Sequence, residues 1–254
     1  MGALIDLSLA AGIVCAMNLK ATAITTILLG AGGFAVAASA ADPGTPPPGA
    51  AAVFSTPRTI DNPYLPLTKF ERCELRGTAD DDTRERSVKT LLQETKPFEV
   101  AGTRIEAAVI RDNAYEDGKL VETTLDYYAQ ADDGTVYYLG EQVKNLKNGK
   151  VVDTHGTWLF GRDTDRMGVA MPTDPQPGDR YRFEDVPGVT VESNRVEERG
   201  LRAKVDGRIV DDVLRIQEFI QPEGDVEYKT YARGLGVIAE YPPGGQVTYA
   251  GCRR

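Results

Sequence analysis

Histidine is nearly absent from this chain: His155, in "DTHGTW", is the only one. A Ser-His-Asp triad needs its histidine beside a nucleophile, and a zinc site needs several His, Cys or carboxylate ligands. Neither G-x-S-x-G nor H-E-x-x-H occurs. On a strand, His155 shares a face with Asp153 and Thr157, and it reads as a surface or hydrogen-bonded structural residue. Nucleophilic and metallo-hydrolase classes are therefore weak, and no cofactor or metal is expected. Asp-rich turns such as "GRDTDRMG" lack the calcium ladder of ligands at alternate positions closed by a glutamate, so they read as solvated turns. Positive charge is also short: 29 Lys and Arg stand against 38 Asp and Glu, a net charge of −9. Such a balance argues against nucleic acid or an anionic membrane as partner. Helical periodicity is missing beyond residue 40, which leaves an all-β fold with little helix.

The apolar run Ala21–Ala37 follows Lys20 and ends at Ala38-Ser39-Ala40, a small-x-small cleavage site. That is the pattern of a secretory signal peptide over residues 1–40. The stretch before it carries Asp6 and no cation, so Met17 is the expected start. A lipoprotein would need a small residue where Val14 precedes Cys15. Cleavage would leave no membrane span, and the product is expected in the periplasm or the medium. Residues 41–57, "ADPGTPPPGAAAVFSTP", read as a Pro- and Ala-rich extended linker, and 58–254 as one β domain. Two cysteines survive cleavage, Cys73 and Cys252. In an exported chain they predict one disulfide. It would close most of the domain into a loop, worth about 5 kcal/mol in the loop-entropy model, and would set the first strand beside the last.

Short runs alternate with turn signals at the spacing of an antiparallel β protein. The first half predicts strands at Phe70–Arg76, Arg84–Glu94, Thr103–Asp112, Lys119–Gln130, Thr135–Asn145 and Val151–Phe160. After an irregular "GRDTDRMGVAMPTDPQPGD" come Arg180–Asp185, Thr190–Glu198, Val213–Gln221, Asp225–Ala232, Leu235–Tyr241 and Gln246–Ala250. "VAGT", "EDGK", "DDGT" and "KNGK" supply tight hairpins. The chain also repeats itself. "VAGTRIEAAVIRD…DYYAQADDGTVYYLGE" and "VDGRIVDDVLRIQEF…EYKTYARGLGVIAE" share one order of turns and strands, with Tyr128-Ala129 matching Tyr231-Ala232 and Glu141 matching Glu240. The expected architecture is a strongly curved antiparallel sheet, a half-barrel or open barrel, built from two meander units.

"IDNPYLPL", "GKLVETTLDYYAQADDGTVYYLGE", "GTW", "MP…GDRY" and "EYKTYARGLGVIAE" resemble a family of uncharacterised secreted bacterial β-rich proteins and lipoproteins. The resemblance covers most of Ile60–Glu240 and implies an envelope-associated half-barrel, but no activity and no catalytic residues. Arg233 replaces the family's usual proline in the tail motif, so that turn is expected to differ.

One strand poses the functional question. In "LVETTLDYYAQ", Glu122, Thr124, Asp126, Tyr128 and Gln130 share one face, while Val121, Leu125, Tyr127 and Ala129 share the other with Thr123. Glu122 and Asp126 lie about 13 Å apart at strand rise. The paired carboxylates of a glycosidase need roughly 5 to 10 Å, a gap that only a cross-strand partner such as Glu141 or Glu240 would close. Pairing through "NAYEDGK" is expected to bring Arg111 next to Glu122. If the sheet curls so that this face is concave, Arg111, Glu122, Asp126, Tyr128, Tyr138, Glu141 and Trp158 line a ligand cleft. Otherwise they form the wet side of a sheet. The leading expectation is an exported, non-enzymatic β protein that binds a small amphipathic molecule or an envelope component. A carboxylate-dependent hydrolase and a purely structural wall-associated domain are the alternatives.

Overall fold

The structure is a computed structural model and describes residues 4–5, 52–221 and 224–254. The Ala21–Ala37 run, Cys15 and the Ala38–Ala40 site lie outside them. No described residue is helical. The strands are β1 (Leu4–Ile5), β2 (Arg72–Ala79), β3 (Arg84–Val100), β4 (Thr103–Glu116), β5 (Lys119–Gln130), β6 (Val136–Lys147), β7 (Lys150–Asp153) and β8 (Trp158–Leu159). They continue with β9 (Gly168–Met171), β10 (Arg180–Val186), β11 (Thr190–Val205), β12 (Arg208–Gln221), β13 (Asp225–Ala232), β14 (Gly236–Tyr241) and β15 (Gly245–Arg253).

All fifteen form one curved sheet that does not close, in the order β1-β11-β12-β13-β14-β15-β2-β3-β4-β5-β6-β7, with β10 on β11 and β8 and β9 on β6. The two meander units are β3–β6 and β11–β14, joined at the centre by β15 and β2. Four hairpin turns put both central residues at positive φ: Ala101-Gly102, Asp117-Gly118, Asn148-Gly149 and Asp206-Gly207. That is the mirror-image turn whose twist matches the strands it joins.

Cys73 and Cys252 face each other in the β2–β15 ladder, with Cα atoms 4.1 Å apart and sulfurs 1.97 Å apart, and they close a loop of 179 residues. The first strand of the domain thus lies beside the last, tied at the seam between the units. The far ends of the sheet also approach. A Cβ on Gly168 of β9 would fall 1.9 Å from the Phe183 carbonyl oxygen of β10, so the two backbones touch without pairing as strands.

Before β2, the segment from Ile60 to Phe70 crosses one end of the sheet. Asn62 fixes it. Its side-chain oxygen accepts from the Tyr64 and Leu65 amides at 2.9 and 3.2 Å. Its amide nitrogen donates to the carbonyls of Gly134 and Pro172 at 3.0 and 3.1 Å. The β13–β14 turn holds the other side, where Gly234 N donates to Pro63 O at 2.7 Å and Lys69 Nζ to Gly234 O at 2.6 Å. Arg233, in the place of the expected proline, leaves this turn and points to Asp212 at 3.4 Å. Ile60 and Tyr64 are buried here, with Trp158, Leu139, Met171 and Ile216 in the same apolar cluster.

β3 and β11 run on past the predicted ends to Val100 and Val205, β12 starts early at Arg208, and other segments add to or depart from the sequence reading. Val151–Phe160 is broken into β7 and β8 by the turn at Thr154–Thr157, where Gly156 sits at φ 93. The irregular piece hides β9, whose four residues are all buried. Val53–Pro57 packs on the domain ahead of residue 58: Asp132 N donates to Val53 O at 2.8 Å, and the Phe54 ring lies 5.7 Å from Tyr137. Leu4–Ile5, within the stretch expected to be cleaved, pairs in parallel with Arg202–Ala203 of β11.

Candidate functional site

The sheet's curvature answers the question posed by β5. Its polar face turns inward, with Thr124 and Asp126 buried at 4% and 8% exposure. The ladder carries the same face across its neighbours, because Lys89 of β3 pairs with Asp112 of β4, and Asp112 with Thr124 of β5. The inward face thus collects charged side chains from both units.

One group of them is largely sealed, with Asp126 and Glu184 8% and 7% exposed and Glu141 half-buried. Asp126 faces Glu141 across β5 and β6, and Tyr138 donates its hydroxyl to Asp126 at 2.7 Å. Trp158 Nε1 and Thr190 Oγ1 donate to the two oxygens of Glu184 at 2.8 and 2.7 Å. The Tyr138 ring stacks on Tyr128 and on Phe183, with centroids 4.8 and 4.7 Å away, and meets Trp158 edge-on at 5.5 Å. Burial, with Asp112 nearby, pushes Asp126 up to about 7. Burial, with Glu184 and Asp126 close by, pushes Glu141 up to about 10. Glu141 therefore keeps its proton at neutral pH. A neutral carboxyl beside one that titrates near neutrality is the raw material of acid–base chemistry.

Beside this group lies a cavity of about 110 Å³. Its apolar wall includes Leu75, Leu91, Ile110 and Val237, and the half-buried Leu67, Phe70 and Leu235 form a rim. Ser87, Lys89, Glu218, Lys229 and Glu240 supply its polar side, and Tyr128 and Tyr231 also line it. Lys89 is paired with Asp112, which also accepts from Ser87 Oγ at 2.9 Å, and Lys89 lies 4.0 Å from Glu240. Lys229 is paired with Glu218 at 2.7 Å and faces Glu240 across the β13–β14 ladder. The charges alternate along the face: Asp112, Lys89, Glu240, Lys229, Glu218. Burial works against the charge on both lysines. The carboxylates outweigh it, Asp112 and Glu240 for Lys89 and Glu218 and Glu240 for Lys229, and both ammonium groups titrate above the usual lysine range. Burial raises Glu218, with Lys229 opposing, while for Asp112 the attraction of Lys89 overcomes burial and lowers it.

The structure divides the predicted site residues among three places. Asp126, Tyr138, Glu141 and Trp158 meet in the sealed group. Tyr128 belongs to its aromatic stack and is also the one residue of the set that lines the cavity. Glu122 lies further along the same inward face, half-buried, accepting from Thr124 Oγ1 at 3.1 Å, and burial raises its pKa. Arg111 is elsewhere. It faces Leu125, whereas Glu122 faces Ala114, with a register shift between Ala114 and Tyr115. That bulge changes the residue count around the turn. Arg111 accordingly points outward, is exposed, and makes no pair with Glu122. His155 is exposed on the turn before β8, its backbone amide donating to Asp153 at 3.0 Å.

Sequence reasoning passed over Lys89, Asp112, Glu184, Glu218 and Lys229. For Lys229 a signal existed, because the internal repeat places it at the position of Asp126. Lys89, within "SVKTLL", carries none, since a lone lysine in a strand ordinarily marks a solvated face. Compared with known proteins, the chain matches no family model, no curated protein and no solved structure.

Proposed function

We propose that this protein is an exported, non-catalytic β scaffold that binds a small amphipathic molecule in the cavity of its curved sheet. The observation that carries the reading is the cavity itself, with an apolar wall and rim on one side and a fixed row of ion-paired groups on the other. An apolar pocket with a few placed polar groups is the usual form of a small-molecule site. The Cys73–Cys252 pair suits the oxidising compartment to which the signal sequence would deliver the chain.

A carrier is favoured over a hydrolase by where the acids sit. Asp126, Glu141 and Glu184 are the group with acid–base potential, and none of them lines the cavity. Tyr138 and Trp158, which bond to two of them, are 2% and 0% exposed. The stack of Tyr128, Tyr138 and Phe183 separates that group from any molecule in the cavity.

The test is titration with the neutral fluorophore N-phenyl-1-naphthylamine. Saturable enhancement at about one site per chain is expected, and Leu235→Trp, which fills the rim, should weaken it at least tenfold with the melting temperature nearly unchanged. Absence of saturable binding to the folded protein, or equal binding by the rim-filled variant, would sink the reading.

A further inference from the structure

We infer that the amphiphile this cavity selects carries a cationic head, of the alkylammonium class, and that Glu240 is the residue that receives it. The inference rests on the ligand-binding reading above. Among the described residues that line the cavity, Lys89 and Lys229 are the cations, and neither is spare. Lys89 is held by Asp112, and Lys229 by Glu218, whose side chain is 2% exposed. An incoming carboxylate would have to take an ammonium from one of these partners and leave a buried anion unpaired, which is far costlier than leaving the pair intact.

Glu240 is differently placed. It lines the cavity, keeps 18% of its side chain accessible, and its nearest cation is Lys89 at 4.0 Å, the outer limit of an ion pair. The row therefore offers three carboxylates to two ammonium groups, and Glu240 is the loosely held third. The aromatic lining agrees, because Phe70, Tyr128, Phe183 and Tyr231 present ring surface to the space, and ring faces attract ammonium groups and repel carboxylates. Size sets the rest. At about 10–15 Å³ per water-sized position, a cavity of about 110 Å³ holds roughly seven to eleven such positions. That is room for a head group and a few methylenes, with the remaining chain leaving over Leu67, Phe70 and Leu235.

The experiment is displacement of N-phenyl-1-naphthylamine from the full-length secreted protein by decyltrimethylammonium, decanoate and decanol, each below its micelle concentration. Decyltrimethylammonium should displace the probe at a concentration at least tenfold lower than decanoate. Glu240→Gln should narrow that ratio at least fivefold and leave decanol unchanged. Decanoate equal to or better than the ammonium compound overturns the inference, and this comparison uses the native protein alone. A ratio unmoved in a folded Glu240→Gln variant overturns the role of Glu240. If the neutral probe and decanol also fail to bind, the ligand-binding reading falls, and this inference falls with it.

Discussion

Replacing Lys229 with methionine removes the cation that permits a carboxylate to be buried on the inner face. Glu218 lies 2.7 Å from the ammonium and has 2% of its side chain exposed, so water cannot take the place of the lost partner. Removing one member of a buried ion pair costs about 3–5 kcal/mol. The Lys229 side chain is 23% exposed where it meets the cavity, which points to the lower end, about 3 kcal/mol. The double variant Glu218→Leu with Lys229→Met should recover most of that loss and lie within about 1 kcal/mol of the parent, because no unpaired charge remains. The deficit also has a pH signature. Burial raises Glu218 in the folded state, and without Lys229 it rises further. The folded variant then holds a proton that the unfolded chain has released, and its stability falls as pH climbs from the ordinary carboxylate range to that raised value. The deficit is therefore small at pH 4.5 and larger at pH 7.5. In the parent, the folded Lys229 pKa lies above the usual lysine range, so its contribution is complete below that range and is lost only in strong alkali. Urea denaturation of the three proteins at both pH values measures all of this. A loss under 1 kcal/mol for Lys229→Met at pH 7.5, or a double variant as unstable as the single one, would refute the reasoning.

The sealed group makes a second pH prediction. Glu141, pushed up to about 10, holds its proton in the folded state well after the unfolded chain has lost it, and this erodes stability with rising pH. Glu141→Gln, which stays neutral throughout, should match the parent near pH 4.5 and exceed it by several kcal/mol at pH 8, up to about 5; thermal melts showing it weaker at pH 8 would count against a protonated Glu141. At the open side of the sheet, Gly168→Ala puts a methyl 1.9 Å from the Phe183 carbonyl oxygen and must part β9 from β10. It should cost roughly 1–3 kcal/mol, and a melting temperature like the parent's would show that the two ends do not need their contact.

Where local chemistry decides structure, the sequence was legible. β5 and β13 run over the residues expected, 119–130 and 225–232, because alternation and glycine turns bound them on both sides. The disulfide and the two-unit plan were equally open to reading, each from a pattern that repeats or pairs. β9 was not, because four consecutive buried residues in a Pro- and Asp-rich stretch show no alternation. Arg111 failed for a subtler reason. A single bulge between Ala114 and Tyr115 alters the register, and one residue of slip carries a side chain to the other face. The sealed group was half legible. Asp126, Tyr138, Glu141 and Trp158 were chosen for a face they do share, but Glu184 arrives from β10 across the opening of the sheet, a closeness that no local pattern encodes.

The two repeats also bear on why one cluster of inward acids is covered while the charged row borders the cavity. Asp126 and Glu141 face each other in the first unit, and at the same two positions of the second stand Lys229 and Glu240. Two acids opposed across a ladder in a buried place cannot both ionise at neutral pH. One keeps its proton, and the pair can be covered by Tyr138, Trp158 and Phe183 without stranding two charges. With lysine at the first position the pair is charged, and both members border the cavity, where some of their surface stays accessible. Tyr128 and Tyr231, equivalent in the repeat, each border the same cavity. The difference between an aspartate and a lysine at one repeated position thus separates a largely buried acid cluster from a charged row able to meet a ligand. The cavity spans both units, and its charged row runs from Asp112 and Lys89 of the first to Glu240, Lys229 and Glu218 of the second, with Glu240 left over.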